Sequence, residues 1–366
     1  MEFGLFYFAD YGSAGGDRYR LLLESVKFAD RHGFSSVWTP ERHFHEFGGQ
    51  YPNPAVVGAA LAAVTERISI RAGSVVAPLH HPMRIAEDWS VVDNLSRGRA
   101  GVSLASGWHA VDFVLQPDNY RARKELLVEA VETVRRLWAR EEVVFRDGAG
   151  QESAVRMFPP PVQAELPIWL TSAGSADTFR TAGRLGTGVL THLIGQDLPE
   201  LARNVAAYRE ELAAAHGPDA RGHVSLMLHT LLGDDREKVR EEVREPFGDY
   251  LRSSIGLIMK TAAAAMPGID LERLSAEDRE FLVARSFDRY FDTGGLFGTV
   301  DDGVETVRRL RGAGVDEIAC LIDFGVPEDR VLDGLHHLDA LRARCSDDIP
   351  DETPDDSPDD TLEESA

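Results

Sequence analysis

The stretch Thr39-Pro-Glu-Arg-His-Phe-His-Glu-Phe-Gly48 sets carboxylates, a guanidinium and two imidazoles within a few residues of one another. An imidazole exchanges protons near neutral pH, whereas a guanidinium stays charged and acts only by attracting negative charge. Glu41, Arg42 and His43 are therefore candidates for proton transfer and electrostatic stabilisation, with His45 alternating onto the same side as His43. The same residues also suit a structural part, in which Glu41 and His43 form a buried pair that holds the loop. A second group lies in "TSAGSADTF", where Gly174 and Ser175 open a helix and Thr178 follows three residues on. Free N–H groups, a positive helix end and two hydroxyls suit a phosphate monoester. An ordinary N-cap, with Ser175 capping its own helix, explains the same letters. His336-His337 reads as part of the last helix. No histidine pair combines a third ligand with metal-site spacing, so no metal is expected.

These side chains need a scaffold, and the apolar pattern supplies one. Strand-like segments at 2–8, 36–38, 68–76, 99–104, 167–171, 188–190, 225–231 and 317–322 are each followed by a helix-patterned segment. Eight such units with no Gly-rich dinucleotide loop predict a (β/α)8 barrel of the TIM type rather than a doubly wound sheet. Residues 141–161 read as an inserted hairpin before the fifth strand. The long interval 232–298 reads as a helical insertion or lid beside the barrel mouth. The barrel is expected to span residues 1–345, with 346–366 as a disordered tail.

Barrel chemistry collects at the C-terminal ends of strands, here 8–10, 39–45, 73–76, 105–109, 171–175, 191–192, 229–230 and 323–324. The small residues of "RAGSVV" and "SLASGWH" leave room there for a broad, flat ligand against the backbone.

Composition narrows the function further. The net charge is −22, and residues 346–366 hold ten acidic side chains and no basic one, which leaves the body at about −12. An acidic body without a basic stripe argues against nucleic acid. There is no membrane-length apolar run and no basic leader, so a soluble, cytoplasmic protein is expected. Cys320 and Cys345 can build neither a disulfide framework nor a metal site, in keeping with a reducing compartment.

"TPERHFHEFG", Asn53-Pro54, "AGSVVAPLHHPMRIAEDWSVVDNLSRGRAGVSLASGWH" and "GSADTFRTAGRLG" together resemble the bacterial luciferase-like, flavin-dependent monooxygenases, in the branch found with natural-product assembly lines. The resemblance runs through most of residues 1–215 and resumes at 299–325. It implies a non-proline cis peptide at Gly73-Ser74 beside the flavin ring, and Ser106 and Trp108 lining that ring. It implies Tyr120 near the flavin phosphate, a phosphate loop of Ser172, Ala173, Gly174, Ser175 and Thr178, and a structural turn at His80-His81 before Pro82. The cofactor it implies is reduced FMN, delivered by a separate flavin reductase and reacting with oxygen through a flavin 4a-hydroperoxide. The substrate would be a small molecule or one tethered to a carrier protein, and the assembly a homodimer. One position departs from the family pattern: where luciferase has the first of two adjacent histidines, this chain has Arg42. Proton transfer then falls to His43, His45 or His109, or Arg42 stabilises developing negative charge. The same barrel also serves deazaflavin-dependent hydride transfer, and a non-catalytic flavin-binding protein would share the cofactor site. A carrier-docking protein without flavin is a further alternative.

Overall fold

Apolar strands that alternate with amphipathic helices bury both faces of a parallel sheet either in an open, doubly wound sheet or in a closed barrel, and this chain closes. A computed structural model describes residues 1–8, 17–45, 49–194, 196–253 and 275–346. The last twenty residues of the acidic tail, residues 254–274 of the helical insertion, and Glu46 to Gly48 of the opening motif lie outside the described residues, as do residues 9 and 10 at the first strand end.

Eight parallel strands form the barrel: β1 (Glu2–Phe6), β2 (Ser36–Thr39), β3 (Ser69–Val76), β4 (Ala100–Ala105), β7 (Ile168–Ser172), β8 (Gly188–His192), β9 (Val224–Leu232) and β11 (Glu317–Leu321). The ring closes where Glu2 pairs with Glu317 and Phe6 with Leu321. An antiparallel hairpin, β5 (Val143–Arg146) and β6 (Glu152–Val155), interrupts the series where the sequence places it. One strand has no counterpart in the sequence reading: β10 (Leu296–Gly298) adds outside β9, with Leu296 opposite Thr230. Three residues are too few for a period-2 pattern to be legible.

The helices follow local rules. In α1 (Arg20–His32), Leu21, Leu22, Val26 and Ala29 form the buried face, and Gly33 ends it in the left-handed region at φ 78°. Asn53 caps α2 (Pro54–Ala62) by accepting from the N–H groups of Ala55 and Val56. Helices α3 (Pro82–Ser96), α4 (Arg123–Trp138), α5 (Ala176–Leu185) and α6 (Leu198–His216) continue the ring. The insertion contributes α7 (Arg236–Ser253) and α8 (Ala276–Arg289), and α9 (Val300–Gly312) and α10 (Glu328–Ser346) complete it. No helix among the described residues is long and apolar enough to cross a membrane.

The N-terminal end of the barrel is plugged by a polar cluster. Glu317 is fully buried and accepts from Ser35, Ser36, Ser225 and Arg71, the last at 2.9 Å. Arg71 in turn lies between the rings of Trp38 and Trp169, at 5.0 and 4.6 Å. A buried carboxylate is tolerable here because each oxygen is paired.

Candidate active site

At the C-terminal mouth a cleft of about 200 Å³ opens among Glu41, Arg42, the Gly73-Ser74 peptide, Ala105, Trp108 and Ala173. A larger hollow, about 810 Å³, lies at the opposite end, among the starts of β7 and β8 and around Arg135, Glu165 and His223. Barrel enzymes work at the C-terminal face, and only the smaller cleft brings strand ends and ionisable side chains together there.

Glu41 follows β2 and is buried. Its Oε1 accepts from Nε2 of His43 at 2.8 Å and of His80 at 2.6 Å, and its Oε2 from the Val76 N–H at 2.7 Å. Burial pushes the carboxyl upward, but these three donors and the His80 charge outweigh it and hold its pKa below the ordinary carboxylate value. An ionised carboxylate only accepts, so both rings present N–H to it. Burial alone would lower His80; the hydrogen bond and charge of Glu41 reverse that and raise it. The structural pairing of Glu41 with His43 is thus present, and it is joined by His80, which the sequence reading treats only as a turn residue. His81 does keep that turn, its Nδ1 accepting from the Met83 N–H that opens α3.

Arg42 is 6 % exposed and lies over the Trp108 ring at 5.2 Å. Its Nε has no hydrogen-bond partner, and its side chain makes no ion pair among the described residues. Burial lowers its pKa, against the attraction of Asp112 and Tyr250. Asp112 also faces the cleft, and it pairs with His109, Nδ1 to Oδ1 at 3.3 Å.

The Gly73-Ser74 peptide is cis, at the position the resemblance assigns. Ser74 shares a hydroxyl contact with Thr171, which is joined to Ser103 at 2.6 Å. Gly107 stands at φ 76°, and a Cβ there would fall 2.8 Å from Val76 Cγ1 and 2.9 Å from Phe113 Cε2, so only glycine fits beneath Trp108.

The loop after β7 is held from behind. Thr191 Oγ1 donates to the Ser172 carbonyl at 2.8 Å, Gln196 Nε2 donates to Thr191 Oγ1 at 2.9 Å, and Asn204 Nδ2 donates to Gln196 Oε1 at 3.1 Å and to the Gly174 carbonyl at 3.3 Å. Ser172 Oγ accepts from the Ser175 N–H, and Ser175 Oγ accepts from the Thr178 N–H. The N-cap is therefore real. It leaves the remaining first-turn N–H groups available to an anion.

Of the side chains singled out in the sequence, Glu41, Arg42, Gly73, Ser74, Trp108 and Ala173 form the cleft wall. His43, His109, Ser106, Ser172, Gly174, Ser175 and Thr178 stand behind or beside it. Tyr120 is farther out, edge-on to Phe113 at 4.9 Å with Arg123 over its ring at 4.6 Å. The wall also includes Thr171, His192, Met227 and Tyr250, none of which carried a role in the sequence reading. Strand-end position signals His192; nothing local signals Tyr250, which reaches the cleft from α7.

Sequence spacing shows no metal motif, yet the fold brings Glu2, His223 and Glu317 together at the N-terminal end. The oxygens of Glu317 are already spent on the serines and Arg71, and the group lies far from the mouth.

Two histidines, the buried His229 and the half-buried His192 of the cleft wall, carry a pH signature. Burial holds His192 down to about 4, its Nδ1 accepting from the Ile194 N–H. Burial and the neighbouring His192 hold His229 down to about 3, among Phe247, Tyr250, Tyr290 and Phe324. Both pKa values lie below the ordinary ~6.5, so below that pH the unfolded chain binds more protons and stability falls with falling pH. The loss should approach about 1.4 kcal/mol per pH unit for each ring between ~6.5 and the folded-state values. Urea midpoints measured from pH 7.5 to 5 should drop accordingly, and His229→Phe should remove about half the slope. An unchanged slope would show that His229 is not the group titrating.

A sequence model of the luciferase-like monooxygenases matches residues 1–317. The chain belongs to that family. Its enzyme class, a luciferase-like flavin-dependent monooxygenase, is the one the sequence resemblance implied. One relative of this luciferase-like monooxygenase is the oxygenase component of a flavin-dependent trigonelline monooxygenase from Acinetobacter baylyi, 24 % identical over 85 % of each chain. Two solved structures share the fold. The oxygenating constituent of 3,6-diketocamphane monooxygenase from Pseudomonas putida, in complex with FMN, has a TM-score of 0.72 at 20 % identity over 93 % of this chain and 96 % of its own. An F420-dependent secondary alcohol dehydrogenase has a TM-score of 0.63 at 18 % identity over 90 % of this chain and 97 % of its own.

Proposed function

We propose that this protein is the oxygenase component of a two-component system. It takes reduced FMN from a separate flavin reductase and uses oxygen to hydroxylate a natural-product intermediate, either a free small molecule or one tethered to a carrier protein. The observation that carries this reading is the flat cleft at the barrel mouth, walled by small residues and the Gly73-Ser74 backbone and faced by Trp108. Family membership, and a relative named as an oxygenase component, support it.

The residues present fit FMN. A flat ring would lie against Gly73, Ser74, Ala105 and Ala173, and the phosphate would reach Gly174 and Ser175 at the positive end of α5, with Ser172 and Thr178 beside it. When bound, reduced FMN supplies the activation of oxygen. The chain supplies the rest. Glu41 fixes the His43 and His80 rings, so it positions rather than protonates. Phe6, Ile194 and Met227 keep water from the cleft. His192, with Nδ1 occupied as an acceptor, presents its Nε2–H as a neutral donor at pH 7. His43, held by Glu41, and His109, held by Asp112, are the groups proposed to move a proton. A cytoplasmic homodimer is part of this reading, supported by Val56 on α2 and Val91 and Leu95 on α3, which stay exposed.

Anaerobic titration with reduced FMN and, separately, with reduced F420, followed by tryptophan fluorescence, tests the cofactor. Reduced FMN should bind at least about tenfold more tightly. Preference for F420 would make the protein a hydride-transfer enzyme, and binding of neither would leave it without a flavin role.

A further inference from the structure

Arg42 is the one cleft residue whose charge the fold leaves unanswered among the described residues. Elsewhere buried or half-buried arginines are paired. Arg71 meets Glu317 at 2.9 Å, Arg99 donates to Thr65 and to the Ile68 carbonyl, and Arg135 donates to the Leu185 and Gly186 carbonyls. The Arg42 side chain has no such bond, although only 6 % of the residue is exposed and its Nε is fully enclosed. Asp112 is the acid that acts on it. Asp112 forms no ion pair with Arg42, and one of its oxygens accepts from His109. A buried cation without a partner is costly, a cost relieved when an anion arrives in the same cavity.

We infer that Arg42 receives the carboxylate of the organic substrate, which makes the substrate class a flat or apolar body carrying a carboxylic acid. The planar guanidinium, lying over the Trp108 ring, offers a forked pair of donors that matches a carboxylate. The neighbouring wall is apolar, with Phe6, Val76 and Ile194 suited to the substrate body. A phosphate would be poorly served, since among the described residues no lysine, second arginine or helix of the barrel ring is paired with the Arg42 guanidinium, and the α5 terminus is elsewhere in the mouth. A carrier-bound thioester has no charge at its acyl carbon, so the group recognised is that of an untethered acid or of a second carboxylate. The inference rests on the flavin reading of the cleft for calling the acid a substrate. The shared chemistry, a planar monoanion, has a second source in the reduced flavin ring itself.

The test uses the full chain without cofactor. Calorimetric titration compares matched acids and amides: indole-3-acetate with indole-3-acetamide, benzoate with benzamide, 4-phenylbutyrate with its amide. At least one acid should bind about tenfold or more tightly than its amide, and Arg42→Met should abolish that preference while leaving the amide's affinity unchanged. Arg42→Met should also raise the Tm, since an apolar side chain of similar length removes the buried charge, and this reports that the variant folds. No acid preference in any pair, or a preference that survives in Arg42→Met, overturns the inference. If the acids show none and reduced FMN binds Arg42→Met about tenfold more weakly than it binds the parent, the anion is the flavin's and the inference is equally overturned. Failure of the flavin reading is seen separately: the parent protein would then bind no reduced FMN while the acid preference persisted.

Discussion

Replacing Glu41 by alanine should lower the stability of the fold by about 3–5 kcal/mol, the range for removing one partner of a buried, hydrogen-bonded charge group. The change leaves the His43 and His80 rings and the Val76 N–H without their shared acceptor in a buried site. It also removes the hydrogen bond by which the segment after β2 holds the end of β3 beyond their backbone ladder. Glu41→Gln keeps one acceptor oxygen and should lose less. The pH dependence follows from the two shifts. Glu41 has a folded-state pKa below its ordinary value, so its contribution is in place above ~4.3 and is lost as the pH falls through the folded value. His80 is raised, so its contribution is complete below ~6.5 and is lost as the pH rises through its own folded value. The cost of Glu41→Ala should therefore be greatest between those limits. Urea denaturation at pH 5.5 measures it, and a loss below about 1 kcal/mol would mean that the three hydrogen bonds are not holding the mouth together.

Gly107→Ala should weaken reduced FMN binding by at least about tenfold while the far-UV circular dichroism stays unchanged. The added Cβ is caught twice. At φ 76° the backbone is in the left-handed region, which costs a residue with a Cβ about 1–2 kcal/mol. The Cβ would also stand 2.8 Å from Val76 and 2.9 Å from Phe113, both firmly packed, at a further cost of about 1–3 kcal/mol. The cheapest relief is a backbone shift that carries Trp108 out of the cleft wall. Gly150→Ala is the control: at φ 79° it has the same conformational strain, but nothing lies within 4 Å and the hairpin turn is exposed. It should lose stability of about 1 kcal/mol and no FMN affinity. Equal FMN binding by Gly107→Ala and the parent would show that the Trp108 segment is not rigid.

The barrel was legible because its signal is repeated. Each unit pairs a short apolar strand with a helix whose buried face recurs every three to four residues, and an error in one unit does not erase the others. The inserted hairpin was legible as a break in that repeat, and both its strands fall within residues 141–161. The cleft wall was legible through a local motif at Glu41 and Arg42, and through the family resemblance at Gly73-Ser74 and Trp108. The site was not legible where closure of the ring creates the contact. His80 lies 39 positions from Glu41, and its ordinary surroundings in the sequence, two histidines before a proline, give no hint of a buried carboxylate. The support of the Gly174 loop by Gln196 and Asn204 belongs to the same class, as does the burial that keeps His192 and His229 neutral. Tyr120 was placed by resemblance alone, and its ring packs edge-on to Phe113 with Arg123 over it.

The most direct measurement is a crystal structure of the protein with FMN. The reading predicts the flavin ring in the cleft between the Gly73-Ser74 peptide and Trp108, with the phosphate at Gly174 and Ser175. A flavin lodged elsewhere, such as the larger hollow at the opposite end of the barrel, or an empty cleft at saturating FMN, would contradict it.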